Sequence, residues 1–185
     1  MSKFYITGVS GTGKSTLARE LNNNSDITAF DLDDEDLCHW RNKKTQEEAV
    51  YEYGIGKDWL EAHEYTCDQN KLKALLDRQK NHVVVLGVAS NQNDFLHLFD
   101  KIFLLHCRKE TFLHRLNTRG DDNQFAKDKS EQEHLLGWYE DFEAGMLKQG
   151  AVPLDAENST ENIVKVIITE LGNQGHKPGA PSRRL

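Results

Sequence analysis

Gly8-Val9-Ser10-Gly11-Thr12-Gly13-Lys14-Ser15 satisfies every fixed position of the G-x-x-x-x-G-K-[S/T] phosphate-binding pattern. Working outward, Lys3-Phe-Tyr-Ile-Thr7 reads as a short buried strand and Ser15 to Leu21 as a helix. This is the strand–loop–helix setting that the pattern requires. Gly8, Gly11 and Gly13 let the backbone wrap an anion without Cβ clashes, so that successive N–H groups converge on a β-phosphate. The helix N-terminus adds its dipole. Lys14 is then expected between the β- and γ-phosphates, Ser15 to offer its hydroxyl to Mg²⁺, and Ser10, Thr12 and Thr16 to complete the nucleotide contacts. A chain of this length meets the pattern by chance roughly once in a hundred or two, and the flanking elements make accident rarer. The dinucleotide fingerprint is absent, because Gly11-Thr-Gly13-Lys-Ser-Thr16 lacks its third glycine. The ligand implied is a nucleoside triphosphate.

Composition narrows the classes. The 185 residues suit one domain with a sizeable core. With 23 Lys and Arg against 30 Asp and Glu, the net charge of −7 leaves no basic surplus for nucleic acid. Met1-Ser-Lys-Phe enters the first strand at once and no long apolar span follows, so neither export nor a membrane partner is expected. Cys38, Cys67 and Cys107 are odd in number, widely spaced and outside any C-x-x-C pair, which reads as structural thiols in a reducing cytoplasm. The eight histidines show no metal-ligand spacing.

Strand and helix patterns alternate along the chain. Ile27–Leu32, His82–Gly87, Ile102–Cys107 and Ala151–Asp155 are expected strands, and the continuous apolar run at 82–87 suits the middle of a parallel sheet. Expected helices cover Asp34–Trp40, about Lys57–Lys80, Glu110–Arg119 with Gly120 as its C′ residue, Glu131–Lys148, and a last one opened by a capping box at Asn158–Glu161. The β-α-β-α order predicts a three-layer α/β/α fold on a five-stranded parallel sheet. The domain is expected over residues 1–171, with 172–185 a disordered tail.

Asp31 and Asp33 fall at the C-terminal end of the second strand, the sheet edge where ligands bind. In extended chain a spacing of two puts both carboxylates on one side. One would hold Mg²⁺ and the other accept a proton from an attacking hydroxyl. The acidic run from Asp33 to Asp36 also fits a helix start, where the dipole favours negative charge.

Gly8–Ser15 followed by Phe30-Asp-Leu-Asp33 resembles the small P-loop kinases of the shikimate, gluconate and adenylate kinase group. The resemblance implies ATP and Mg²⁺ as cofactors, Asp31 and Ser15 at the metal, Asp33 on the acceptor's hydroxyl, a small helical acceptor subdomain at 38–60, and a short lid at 119–130. It also implies that Leu113-His-Arg115-Leu-Asn-Thr-Arg119 introduces the lid, with Arg115 and Arg119 neutralising the transferring phosphoryl group. Arg115 and Arg119, four apart, share one face of the expected helix; such a face is equally that of an ordinary solvated helix. Lys127 and Lys129 are further cations past the loop.

Two features depart from the relatives. Leu86-Gly-Val-Ala-Ser-Asn91 carries neither the glycine triplet of shikimate kinases nor the monophosphate-binding arginine of adenylate kinases. No Walker B aspartate closes that strand, which throws more weight on Asp31. In the acceptor segment Trp40, Arg41, Tyr51, Tyr53, Lys57 and Trp59 suit a nucleoside or a sugar acid, and equally the packing of a small subdomain. Asp155-Ala-Glu-Asn158 resembles the stretch that borders the nucleotide base in these kinases.

These readings converge on a cytoplasmic phosphotransferase, monomer or homodimer, that moves the γ-phosphoryl of ATP to a small-molecule hydroxyl or phosphate acceptor of nucleoside, nucleotide or sugar-acid type. The rival is a regulatory ATPase that acts on a protein partner, with slow turnover indifferent to small acceptors. Guanine specificity is disfavoured, since Asn42-Lys-Lys-Thr45 lacks the aspartate of an N/T-K-x-D motif.

Overall fold

The computed structural model describes residues 1–33, 36–120 and 124–174. The chain runs β1 (Lys3–Thr7), α1 (Lys14–Leu21), β2 (Ile27–Asp31), β3 (Cys38–Asn42), β4 (Glu48–Ala49), α2 (Lys57–Ala62), β5 (His63–Cys67), α3 (Gln69–Arg78) and β6 (His82–Leu86). It continues through two 3₁₀ turns to β7 (Lys101–His106), α4 (Lys109–Thr118), α5 (Lys129–Leu136), α6 (Tyr139–Lys148), β8 (Val152–Asp155) and α7 (Thr160–Gln174). Five strands form the expected parallel sheet in the order β2-β6-β1-β7-β8.

The period of two along each strand sorts side chains between two cores. Phe4 and Ile6 of β1 join Val84 and Leu86 of β6 on one face, against Leu17 and Leu21 of α1 and Ile163 and Ile167 of α7. Tyr5, Val83 and Val85 face the other way, onto Leu72 and Leu76 of α3 and onto Phe95 and Phe99. Because all five strands run in parallel, the ends of β1, β2, β6, β7 and β8 open on one edge. The order reverses around β1, so the phosphate-binding loop sits at the switch point.

The segment 38–60, expected as a small helical subdomain, carries the start of one short helix, α2, beside two strands. β3, β4 and β5 form a second, antiparallel sheet in the order β4-β3-β5. The helix expected at Asp34–Trp40 is replaced by strand β3, with Asp34 and Glu35 outside the described residues. The helix expected over Lys57–Lys80 is three elements, α2, β5 and α3. Its supposed apolar face, Leu60 then Leu72, Leu75 and Leu76, has a gap that β5 fills with the half-polar His-Glu-Tyr-Thr-Cys. Asp68 then restarts the helix, its carboxylate accepting from the N–H groups of Asn70 at 2.9 Å and Lys71 at 3.0 Å.

The helix expected at Glu131–Lys148 also breaks, between α5 and α6, at Gly137 and Trp138. α4 stops at Thr118, where Arg119 turns to extended backbone, φ −67° and ψ 157°, which leaves Gly120 at the expected C′ position. The last helix is capped by Ser159, whose Oγ accepts from Asn162 N–H at 3.4 Å. It runs three residues past Leu171; the rest of the expected tail, 175–185, lies outside the described residues. Among the described residues no helix is long and apolar enough to cross a membrane. Asp68→Ala should lower unfolding stability by about 1 kcal/mol, read as a lower urea midpoint with an unchanged slope.

Candidate functional site

The loop between β1 and α1 is shaped by close approach. A Cβ on Gly8 would lie 2.3 Å from the Leu105 carbonyl oxygen, a backbone clash that no side-chain movement relieves. Gly11 has φ +87° and its Cβ would meet the Phe112 carbonyl oxygen at 2.8 Å. The loop is braced from inside, with Thr12 Oγ1 donating to the Val9 carbonyl at 2.9 Å. α1 begins at Gly13 with no side-chain cap, so its first-turn N–H groups remain available to an anion. Lys14 folds back over the loop, Nζ donating to the carbonyls of Gly8 at 2.7 Å and Val9 at 3.0 Å. Burial pushes its ammonium below the usual lysine range; Asp33 and then Asp31 oppose this, and Arg119 adds to it. Those four side chains therefore share one electrostatic neighbourhood.

Asp31, 6 % exposed at the end of β2, accepts from Ser15 Oγ at 2.7 Å with Oδ2 and from Asp33 N–H at 3.2 Å with Oδ1. The chain turns directly after β2, so Asp33 does not reach its place by strand alternation. It stands exposed at the mouth while Asp31 is sequestered. Asp33 Oδ1 accepts from the Tyr65 hydroxyl at 2.9 Å, which joins the small sheet to the phosphate loop. Burial, then the Asp33 charge, pushes the Tyr65 phenol far above its ordinary range and keeps it a donor. The Ser15 hydroxyl and the Asp31 carboxylate are adjacent hard oxygen donors, of the kind that could join water and phosphate oxygens around a Mg²⁺ ion. The described residues hold no cluster of three or more His, Cys, Asp or Glu suited to a metal held by protein alone.

The two arginines part company. Arg119 reaches Ser10 Oγ at 3.3 Å, on the phosphate side. Arg115 faces away, donating from Nη1 to the Thr12 carbonyl at 3.2 Å and from Nη2 to the Ala156 carbonyl at 2.9 Å. It walls a cavity of about 250 Å³ with Thr12, Gly13, Thr16, Ala156 and Asn158, behind the phosphate loop. Ala156 and Asn158 bring the Asp155–Asn158 stretch to the wall of this cavity. That loop is held by Glu157, which accepts from Arg108 Nε at 3.3 Å and Thr111 Oγ1 at 2.7 Å. Lys129 is exposed.

In the acceptor segment Trp40, Tyr51 and Trp59 come together: ring centroids are 5.2 Å apart for Trp40–Trp59 and 6.3 Å for Trp40–Tyr51. Arg41 instead pairs with Glu48 at 2.8 Å, Lys57 with Glu61 at 3.5 Å, and Tyr53 is exposed. Three residues here escaped sequence reasoning. Tyr65 lies tilted against Trp40 with ring centroids 5.2 Å apart, Phe125 lies 5.5 Å from Tyr51, and fully buried Glu131 accepts from the Tyr51 hydroxyl at 2.8 and 3.0 Å and from Ala126 N–H at 3.0 Å. Tyr51 and Glu131 are 80 residues apart, and no local pattern marks such a pair.

The fold and the phosphate loop define an α/β domain of P-loop type. Over residues 5–136 the chain matches the model of the AAA_18 family, an AAA domain, and it belongs to that family. No curated protein matches it in sequence. Among solved structures it is similar to a shikimate kinase from Acinetobacter baumannii in complex with shikimate: TM-score 0.60, 16% identity, covering 96% of this chain and 96% of that one. It is similar to a sugar kinase from Janibacter sp., with TM-score 0.57, 15% identity and coverage of 93% and 95%. It is also similar to deoxyadenosine kinase from M. mycoides with bound dATP, with TM-score 0.53, 17% identity and coverage of 92% and 99%.

Hydrogen bonds, first from the Arg108 side chain and then from Thr111, hold the Glu157 carboxyl at about 2, below the ordinary 4.5. A carboxyl depressed in the folded state stabilises it above the unfolded value and loses that contribution as pH falls through the folded one. Acidification from 4.5 toward about 2 should therefore loosen the loop that walls the cavity behind the phosphate loop. Glu157→Gln should flatten that part of the pH–stability curve, measured by thermal melting.

Proposed function

We propose that this protein is an ATP- and Mg²⁺-dependent phosphotransferase. It transfers the γ-phosphoryl of ATP to a small-molecule hydroxyl or phosphate acceptor of nucleoside, nucleotide or sugar-acid type. The observation that carries this reading is the chain Ser15–Asp31–Asp33–Tyr65, which runs from the phosphate loop to an exposed carboxylate at the mouth of the small sheet. The solved kinases of similar fold support it, acting on shikimate, on deoxyadenosine and on a sugar as their names state.

In this mechanism the N–H groups of the 8–15 loop and Lys14 hold the β- and γ-phosphates. Ser15 and Asp31 would hold Mg²⁺, which when bound would supply charge neutralisation at the phosphates. Asp33 orients the acceptor hydroxyl and takes its proton as the oxygen attacks the γ-phosphorus. The bond from that phosphorus to the bridging oxygen breaks, and ADP leaves. Arg119 offsets charge on the transferring group. Arg115 packs against the nucleotide from the cavity side, and Ser10, Thr12 and Thr16 line its path. For a phosphate acceptor the attacking oxygen is already ionised, and Asp33 serves only to position it. Residues 38–60 receive the acceptor and 119–130 form the lid, with 121–123 outside the described residues. Catalysis comes from positioning and charge neutralisation, without a covalent intermediate.

The test is ADP release from Mg²⁺-ATP with nucleosides, nucleoside monophosphates, sugar acids, shikimate and small antibiotics supplied singly. One acceptor class should raise turnover. Lys14→Ala should then cost about 10²–10³ in kcat. Asp33→Asn should cost about 10²–10⁴ in acceptor-dependent turnover while ATP binding is retained. Tyr65→Phe, which deletes a hydrogen bond to a charged group, should cost about tenfold. Unchanged acceptor kinetics in Asp33→Asn would remove the assignment of that residue. A rate indifferent to every acceptor would point to the regulatory ATPase.

A further inference from the structure

Cys38 and Cys67, 29 positions apart in sequence, are direct cross-strand partners in the β3–β5 ladder. The ladder's parity fixes which kind of pair they make. Asp68 N–H donates to the Leu37 carbonyl at 2.8 Å, and Lys43 N–H to the Ala62 carbonyl at 3.0 Å. Hydrogen bonds thus join residues 37 and 68, then 43 and 62. Alternation leaves 38/67, 40/65 and 42/63 as the non-hydrogen-bonded pairs.

Two further observations agree. The backbone of Cys67 points away from β3, its N–H donating to Asn91 Oδ1 at 2.9 Å and its carbonyl accepting from Asn91 Nδ2 at 3.0 Å. Tyr65 does the same with Ser90, N–H to Oγ at 3.2 Å and carbonyl from Ser90 N–H at 2.7 Å. Non-hydrogen-bonded antiparallel pairs bring Cα atoms to about 4.5 Å, inside the roughly 4.4–6.8 Å that a disulfide spans. The backbone can therefore accept a bridge in place.

We propose that Cys38 and Cys67 are a dithiol modification site, oxidised reversibly by a small-molecule disulfide to an intrachain bridge between β3 and β5. The Cys67 thiolate attacks one sulfur of the oxidant, forms a mixed disulfide and expels one small thiolate. The Cys38 sulfur then attacks the Cys67 sulfur, closes the bridge and expels the second. Two protein S–H bonds are lost, their protons pass to the two released thiolates, and the oxidant is reduced to two thiols. Interaction between the partners holds the Cys67 thiol below its usual range and pushes Cys38 above, which fits Cys67 as the attacking group. The bridge would brace the face that carries Trp40 and Tyr65, the next non-hydrogen-bonded pair along the ladder.

Exposure alone does not select this pair. Cys38, Cys67 and Cys107 are 8 %, 4 % and 8 % exposed, and all three are free. Reaction needs local opening of the small sheet, whose edge strand β4 has only two residues. Cys107, equally buried and raised by that burial, serves as internal control.

The folded, full-length protein is incubated anaerobically with oxidised glutathione, and followed by thiol titration, intact mass and peptide mapping. Titratable thiols should fall from three to one, with the loss of two hydrogens and a Cys38–Cys67 linked peptide. Dithiothreitol should restore all three. Cys38→Ser should stop at a glutathione adduct on Cys67, and Cys67→Ser should prevent bridging. Persistence of three thiols, accumulation of a glutathione adduct in the wild type, or loss of Cys107 as fast as the pair would overturn the proposal.

Discussion

The carboxylate of Asp31 is the contact on which the site depends. One oxygen holds the Ser15 hydroxyl in the first turn of α1, the other the backbone N–H of Asp33. The parallel pairing of β2 with β6, and of β6 with β1, sets the distance over which this group reaches. Buried at 6 % exposure, it has little solvent to compete with either partner. Its geometry sends Asp33 outward, and Asp33 receives the Tyr65 hydroxyl from the second sheet. Two separately built parts, a phosphate cradle and an antiparallel sheet, thus meet across one pair of aspartates.

The second sheet is fastened to the first by side chains that pattern reading passes over. Ser90 and Asn91, just past β6, take the outward-facing backbone groups of β5. Gln92 is buried where Tyr5 and Thr7 donate to its Oε1 at 3.2 and 3.0 Å, which ties the end of β1 to the same turn. From the far side Phe125 and Glu131 close on Tyr51. The segment that stands in place of a glycine triplet therefore serves as an anchor: its polar residues replace an edge strand with hydrogen bonds of their own.

The legible parts of this chain were those with fixed spacing or continuous apolar runs. Gly8 to Ser15 and His82 to Leu86 are local signals, and their placement follows from backbone geometry alone. β3 and β5 were illegible because Cys-His-Trp-Arg-Asn and His-Glu-Tyr-Thr-Cys are half-polar and carry no clean alternation. Their pairing is set by a register between distant segments. The i, i+4 spacing of Arg115 and Arg119 suggested one shared face, and the helix end at Thr118 separated them. The sheet edge at which Asp33 was expected is where it stands, although a turn puts it there rather than the strand.

In the proposed reaction the exposed carboxylate of Asp33 serves transfer to an acceptor and not to water. Phosphorus NMR of the wild-type protein with Mg²⁺-ATP and a pooled set of nucleosides, sugar acids and amino alcohols tests it directly. A new phosphoester resonance should grow in step with ADP, with inorganic phosphate near background. Inorganic phosphate matching ADP throughout, with no phosphoester formed, would contradict it.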